Sequence, residues 1–269
     1  MAPTSLPGIA QLVGRYDGAI LDLWGVLHDG VKPISGAVDC LEHLRAAGWH
    51  LVLLSNAPRR AVSVAEQVAG FGIPPEAYDG IVTSGDLTRA ALTNPDAWHQ
   101  KLGSKFYHLG PERDWGLLDG LPLDRVADPI DCDFILNTGL FDDETESEAD
   151  YAEFLAAAHA RRTPMICANP DRVVLRGDRR IPCAGVVAAA YEAIGGQVRY
   201  HGKPDGGAYD ACQALMPGIP KSRLVAVGDS LTTDITGASR SGIDSVFVFS
   251  GIDGGNQAAS TMTMQSFVW

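Results

Sequence analysis

The sequence predicts an α/β protein whose main sheet is parallel and whose chain is interrupted by a second α/β unit. Three observations predict it. Short apolar runs without polar alternation recur along the chain, each followed by a turn and an amphipathic stretch, as expected of strands covered on both faces by crossover helices. Four of these runs end in residues able to do chemistry. Between about residues 87 and 197 the rhythm of strand and helix changes, and the earlier rhythm then returns.

Taken in order, Ala19-Ile20-Leu21 reads as a buried strand ending at Asp22, and Gly25 turns the chain away three residues later. Ligands of open α/β sheets bind beyond the carboxyl ends of strands, and a carboxylate there is costly to bury unless it holds a cation or reacts. A flap-like turn passes through Lys32 and Pro33. Ser35 reads as the cap of a helix carrying Val38, Leu41, Leu44 and Ala47, which Gly48 ends. His50 to Leu54 is a second buried strand, closed by Ser55-Asn56-Ala57-Pro58 before a helix from about Arg59 to Ala69. A right-handed crossover puts both strand ends on one edge. Ile81-Val82-Thr83, followed by Ser84-Gly85-Asp86, is a third strand and helix start.

The insert, about 87–197, carries strands near 106–109, 134–137 and 164–167 and helices near 146–160 and 184–194. Its acidic run Asp142-Asp143-Glu144-Thr145-Glu146 reads as solvated charge at a helix start, where the dipole favours it. Residues 1–86 and 198–269 then form the two parts of a core. The second part opens with Val198-Arg199-Tyr200 and His201-Gly202-Lys203-Pro204-Asp205, then a helix of about 206–215. The strand Leu224 to Val227 leads into Gly228-Asp229-Ser230 and Asp234, and Ser245 to Phe249 is a last strand. The final dozen residues show no usable periodicity.

Composition narrows the function. With 33 acidic against 21 basic residues and a net charge of −12, the chain lacks the basic balance of a nucleic-acid binder. It has no apolar run long enough to span a membrane and no signal-peptide pattern at its start. Five cysteines without a C-x-x-C pair fit a reducing compartment, so a cytoplasmic location is expected. The histidines show no zinc spacing. A homodimer is compatible with the sequence but not dictated by it. No G-x-G-x-x-G follows the first strand, which disfavours a dinucleotide-binding oxidoreductase.

Four strand ends thus aim Asp22, Ser55 with Asn56, Lys203, and Asp229 with Asp234 at one crevice. The set suits phosphoryl transfer through a covalent aspartyl-phosphate. Magnesium, held by carboxylates, lets an anionic nucleophile meet an anionic phosphate, while Lys203 and Ser55 with nearby backbone N–H groups stabilise the transferring oxygens. The segments DLWGVLHDG, LLSNAP, HGKPD and AVGDSLTTDI, in this order, resemble the four motifs of the haloacid dehalogenase (HAD) superfamily. CANPDRVV followed by CAGVVAAAYEAIGG resembles the cap region of its class IIA branch, which includes NagD-like and p-nitrophenylphosphatase-like hydrolases.

The resemblance implies a Rossmann-like core with an inserted α/β cap, and magnesium-dependent hydrolysis of a small phosphorylated metabolite such as a sugar phosphate or nucleotide. It implies Asp22 as nucleophile and metal ligand, Asp229 and Asp234 at the metal, and the backbone carbonyl of Trp24 as a further ligand. Asn169 and Asp171 match positions near the substrate, although Asn-Pro-Asp is also a common turn. Family phosphatases carry a general acid/base aspartate two residues after the nucleophile, and here that position is Trp24. Indole exchanges no proton at neutral pH. Three outcomes stay open: slow hydrolysis, proton transfer by His28 or Asp29 of the flap, or binding of phosphorylated ligands without turnover. Trp24 is read either as an apolar wall against substrate or as a plug.

Overall fold

Ile20, Leu21, Leu51, Val52, Leu53, Val225 and Val227 are all essentially inaccessible to water, which a strand allows only when both faces of its sheet are covered. The computed structural model describes residues 3–249 and 260–269. In chain order the first part holds β1 (Thr4–Leu6), β2 (Gly18–Asp22), α1 (Ala37–Ala46), β3 (His50–Ser55), α2 (Ala61–Gly70), β4 (Gly80–Thr83) and α3 (Ser84–Thr93). The insert follows with β5 (Lys105–Leu109), β6 (Asp124–Val126), β7 (Phe134–Asn137), α4 (Ala152–Ala160), β8 (Met165–Cys167), the hairpin β9 (Val173–Arg176) and β10 (Arg179–Pro182), α5 (Ala184–Ala193) and β11 (Val198–Tyr200). The chain returns through α6 (Gly206–Ala214), β12 (Leu224–Gly228), α7 (Thr236–Ser241), β13 (Asp244–Val248) and β14 (Met262–Met264).

The large sheet has the order β1-β14-β13-β12-β2-β3-β4 with every pairing parallel. From β2 the chain winds outward to β3 and β4, and from β12 it winds the other way, so the switch point lies between β2 and β12. That is where such sheets bind ligands. Alternate residues of the strands face opposite sides: Leu21, Leu53 and Val225 pack on one face with Leu41, Leu44 and Val64 of α1 and α2, while Ile20, Val52 and Leu54 pack on the other with Tyr209 and Cys212 of α6. The smaller sheet, β11-β8-β7-β5-β6, is also parallel and forms an α/β cap.

The structure departs from the sequence-based expectations in four places. Val198–Tyr200, expected to open the returning core, pairs with Met165–Cys167 at the edge of the cap sheet. Ser35 does not cap α1; the residue before the helix is Gly36 in the left-handed region (φ 83°), with no side-chain cap, and a Cβ there would crowd Val268 at 3.1 Å. The helix expected from about 146 begins instead as a 3-10 turn at Glu148–Tyr151, closed by a Ser147/Asp150 capping box, before α4 takes over.

The tail, where no element was expected, supplies β14 between β1 and β13. Beyond it the Ile9 N–H donates to the Val268 carbonyl at 2.8 Å, and Phe267 is fully buried in the core. Among the described residues no helix is long and apolar enough to cross a membrane, and the five cysteines are free thiols.

Phe267 ties the last residues to the face covered by α1, so Phe267→Ala is expected to cost about 3–5 kcal/mol of unfolding free energy, the range for emptying a buried phenyl site. Urea denaturation followed by fluorescence measures it. A loss below about 1 kcal/mol would show that the tail contributes nothing to the core.

Candidate active site

Parallel registry brings the strand-end residues together. Asp22 ends β2 opposite Leu54, Ser55 ends β3 opposite Thr83, and Asp229 directly follows β12. Asp234 reaches the same spot from a π-helical turn, Leu231–Ile235, a wide turn found mostly at functional sites. A Cβ on Gly228 would lie 2.2 Å from Asp234, so only glycine lets this turn fold back on its own strand. Carboxylate oxygens of Asp22, Asp229 and Asp234 all lie within 4.8 Å of one another, and all three residues are buried.

Lys203 lies among them at 2% exposure. Its Nζ donates to Asp22 Oδ1 at 2.5 Å, to Asp234 Oδ1 at 2.8 Å and to the Leu54 carbonyl at 3.3 Å. Burial opposes the ammonium charge, but Asp22, Asp234 and Asp171 outweigh it, so Lys203 holds its proton well above the ordinary lysine range. Asp22 is pushed the other way. Burial first and then the Asp234 charge raise its carboxyl well above the usual range, with Lys203 opposing.

Three carboxylates against one ammonium leave this dry cluster short of positive charge. Oxygen donors crowded to this degree fit a hard divalent cation. Gly25 supports the fit, because a Cβ there would fall 1.9 Å from Asp229 Oδ2; the backbone comes up against that carboxylate directly after Trp24.

Asn56 holds Lys203 in place. Its Oδ1 accepts the Lys203 N–H at 2.7 Å, and its Nδ2 donates to the Lys203 carbonyl at 3.2 Å and to Asp171 Oδ1 at 2.8 Å. A Cβ on Gly202 would meet Asn56 Oδ1 at 2.4 Å. Ser55 is buried, and its hydroxyl accepts the Ala57 N–H at 3.1 Å. Asn169 Oδ1 accepts the Asp171 N–H at 3.1 Å, and burial raises the Asp171 carboxyl. A cavity of about 1180 Å³ between core and cap is lined by Asp22, Trp24, Ser55, Asn56, Asn169, Asp171, Lys203, Asp229 and Asp234, so nine of the eleven residues singled out in the sequence meet there.

His28 is one of the two exceptions, with Asp29. It is fully buried, packed edge-on to Trp24 with ring centroids 5.1 Å apart and against Phe71 at 4.8 Å, and it does not line the cavity. Its Nδ1 accepts the Gly30 N–H at 3.0 Å, and burial lowers its pKa to about 4. Asp29 serves as a turn cap, accepting the Val31 and Lys32 N–H groups at 2.9 and 2.8 Å. Neither flap residue lines the cavity.

The site also contains residues the sequence did not single out. Arg59 and Asp114 line the cavity from the core and the cap. Asp143, expected as solvated charge, accepts hydrogen bonds from Arg113 at 2.7 Å and from Arg176 at 3.1 Å on the cavity wall. Arg59 was within reach of sequence reasoning, since it follows Ser55-Asn56-Ala57-Pro58. Asp114 stands in no motif.

A parallel sheet with this carboxylate and lysine cluster at its switch point defines a haloacid dehalogenase-like hydrolase, and the chain belongs to that family. The family profile described as haloacid dehalogenase-like hydrolase matches residues 19–121, and a HAD-hydrolase-like profile matches residues 200–268. Within the family the chain falls in the class IIA, NagD-like branch. It is 30% identical over 253 residues to chronophin of Rattus norvegicus, covering 91% of this chain and 80% of that protein. It is likewise 30% identical over 243 residues to sugar-phosphatase AraL of Bacillus subtilis, covering 87% and 83%. Among solved structures, a haloacid dehalogenase-like hydrolase from Brucella suis superposes with a TM-score of 0.88 at 33% identity, covering 99% of this chain and all of that one (100%).

Burial, opposed by Arg113 and Arg59, raises the Asp114 carboxyl to about 6. A folded-state pKa above the unfolded value of 3.8 means the native state binds the proton more tightly, so this group's contribution falls as pH rises from about 4 to about 6. Asp114→Asn should therefore stabilise the fold by about 2–3 kcal/mol at pH 7.5, with the gain fading by pH 4. Denaturation at the two pH values measures this; an equal effect at both would mean the carboxyl is not perturbed.

Proposed function

We propose that the protein is a magnesium-dependent phosphomonoesterase acting on a small organic phosphate, such as a sugar phosphate or nucleotide, through an aspartyl-phosphate on Asp22. The observation that carries this reading is the buried triangle of Asp22, Asp229 and Asp234 with Lys203 donating into it. The similarity to sugar-phosphatase AraL supports the substrate class.

In this reading Asp22, Asp229, Asp234 and the Trp24 carbonyl would hold magnesium, which would supply the charge neutralisation that lets a carboxylate approach a phosphate. Asp22 attacks phosphorus, the bond to the ester oxygen breaks, and the phosphoryl group is left on the carboxylate. Lys203 and Ser55, with backbone N–H groups around them, stabilise the transferring oxygens. Asn56 keeps Lys203 aimed at the nucleophile. Water then attacks the acyl phosphate, releasing phosphate and restoring Asp22.

Trp24 has no proton to give the leaving oxygen, so the first step favours leaving groups stable as anions. The cap covers the reaction and limits access of water. The free thiols, four of them buried, support a reducing, cytoplasmic setting.

Magnesium-dependent release of p-nitrophenol from p-nitrophenyl phosphate is the direct test, and Asp22→Asn should lower it by about 10³-fold or more. Equal rates in the two proteins would reject the mechanism. Trp24 favours a second reading, a binder of phosphorylated metabolites without turnover; tight phosphate-ester binding with no Asp22-dependent release would establish it.

Trp24→Asp restores an acid/base group and should speed hydrolysis of alkyl phosphates by roughly 10²–10⁴-fold. No change in the rate for these poor leaving groups would mean that protons are supplied from another group.

A further inference from the structure

The cap wall of the cavity carries a carboxylate that this mechanism does not use. Asp114 lies in the 3-10 segment Glu112–Leu118, is 4% exposed and faces the same cavity as Asp22. Its Oδ1 has no hydrogen-bond partner among the described residues. A buried carboxylate oxygen is held that way at a cost in stability, and such groups persist where a ligand supplies the missing donor.

The surroundings hold this oxygen in place. The Thr138 hydroxyl lies alongside Asp114 and lowers its proton affinity, and Thr138 Oγ1 is itself 2.9 Å from His108 Nε2. Gly110, in the left-handed region at φ 144°, makes room for that hydroxyl, since a Cβ there would come within 2.1 Å of Thr138 Oγ1. Across the gap is Arg59, four residues beyond Ser55 on the core. Arg59 donates to Gln67 Oε1 at 2.7 Å and attracts Asp114 electrostatically, with no hydrogen bond between the two among the described residues. The space between them is therefore flanked by a fixed acceptor on the cap and a half-buried guanidinium on the core.

We propose that Asp114 is the specificity-determining residue of the cap, its free oxygen accepting a hydrogen bond from a hydroxyl group of the leaving alcohol and so selecting phosphorylated polyols and sugars. The proposal rests on the phosphatase reading above and adds the feature of the substrate that the cap recognises. A hydroxyl suits the site better than an ammonium, because the Arg59 and Arg113 charges that act on Asp114 would repel a third cation placed between them. A phenyl ester has no donor to offer. Binding it would leave the Asp114 oxygen unpaired, the situation in which sites built around a hydrogen bond discriminate most strongly.

The test compares glycerol phosphate and hexose phosphates with phenyl phosphate and ethanolamine phosphate, in magnesium, for wild type, Asp114→Ala and Asp114→Asn. In Asp114→Ala, kcat/KM for the hydroxylated esters should fall about 10- to 100-fold more than for phenyl phosphate, the range for losing a hydrogen bond to a charged acceptor. Asp114→Asn keeps a neutral acceptor and should lose less. Equal losses for both kinds of ester, no loss for the hydroxylated ones, or a selective loss for ethanolamine phosphate would overturn the proposal.

Binding measured calorimetrically in an Asp22→Asn background gives the same comparison without turnover. If wild type hydrolyses nothing but Asp114→Ala still weakens binding of hydroxylated esters selectively, the hydrolytic reading fails and the role of Asp114 stands. If wild type hydrolyses these esters and their binding ignores Asp114, the reverse holds.

Discussion

Everything at the crevice depends on one buried ammonium. Lys203 is bonded to Asp22 and Asp234, and without it three mutually repelling carboxylates would share a water-poor site without the ammonium bonded to two of them. Much of the local sequence serves to keep it there. Gly202 lets the chain pass against Asn56, both ends of the Asn56 amide bond to Lys203 backbone groups, and the Leu54 carbonyl takes a third ammonium hydrogen. The sheet provides the rest, because β12, β2 and β3 are neighbours whose ends coincide. A shift of one residue in either register would turn Asp22 to the other face of the sheet.

The flap is built around Trp24 rather than merely tolerating it. The indole packs over Gly30, where a Cβ would lie 2.3 Å from ring carbons, and against the buried His28. Gly30 has φ 84° and gives its N–H to His28 Nδ1. Burial keeps the His28 ring neutral at physiological pH, as its pKa of about 4 requires. An aspartate at position 24 would be solvated or paired and would not fill this space. Position 24 is thus occupied by a side chain packed into an apolar flap, with no titratable group of its own facing Asp22.

How legible the molecule was follows from the range of each interaction. Asp22, Ser55, Asn56 and Asp229 stand directly after apolar runs, so the local pattern alone places them at strand ends. Lys203 and Asp234 were legible through the order of their motifs. By contrast, Val198–Tyr200 is half-buried and three residues long, and nothing in Val-Arg-Tyr says which sheet it joins. Met262–Met264 is equally short, and its burial comes from β1, at the other end of the chain, and from β13, more than ten residues earlier. The flap sequence does not say whether His28 faces the crevice or packs inward; Trp24 and Phe71, one of them 43 residues away, enclose it. Asp114 and Asp143 take their meaning from Arg59, Arg113 and Arg176, partners that only the folded cap supplies.

Besides the packing of Leu92 of α3 on the cap, polar contacts join cap to core, and one of them, between Asn56 and Asp171, lies on the cavity wall. Ser84 bonds to the carbonyl of Ala168, His99 and His201 meet through their Nε2 atoms at 3.2 Å where the two connecting segments cross, and Asn56 donates to Asp171. Polar contacts of this kind exchange readily for water, unlike a packed apolar interface. The Asn56 bond has a further consequence. Its Oδ1 accepts the Lys203 N–H, while its Nδ2 is shared between the Lys203 carbonyl and the cap carboxylate of Asp171. Displacement of the cap therefore removes a partner from the same side chain that holds the lysine against Asp22, so the position of the cap and the alignment of the Lys203 ammonium are mechanically linked.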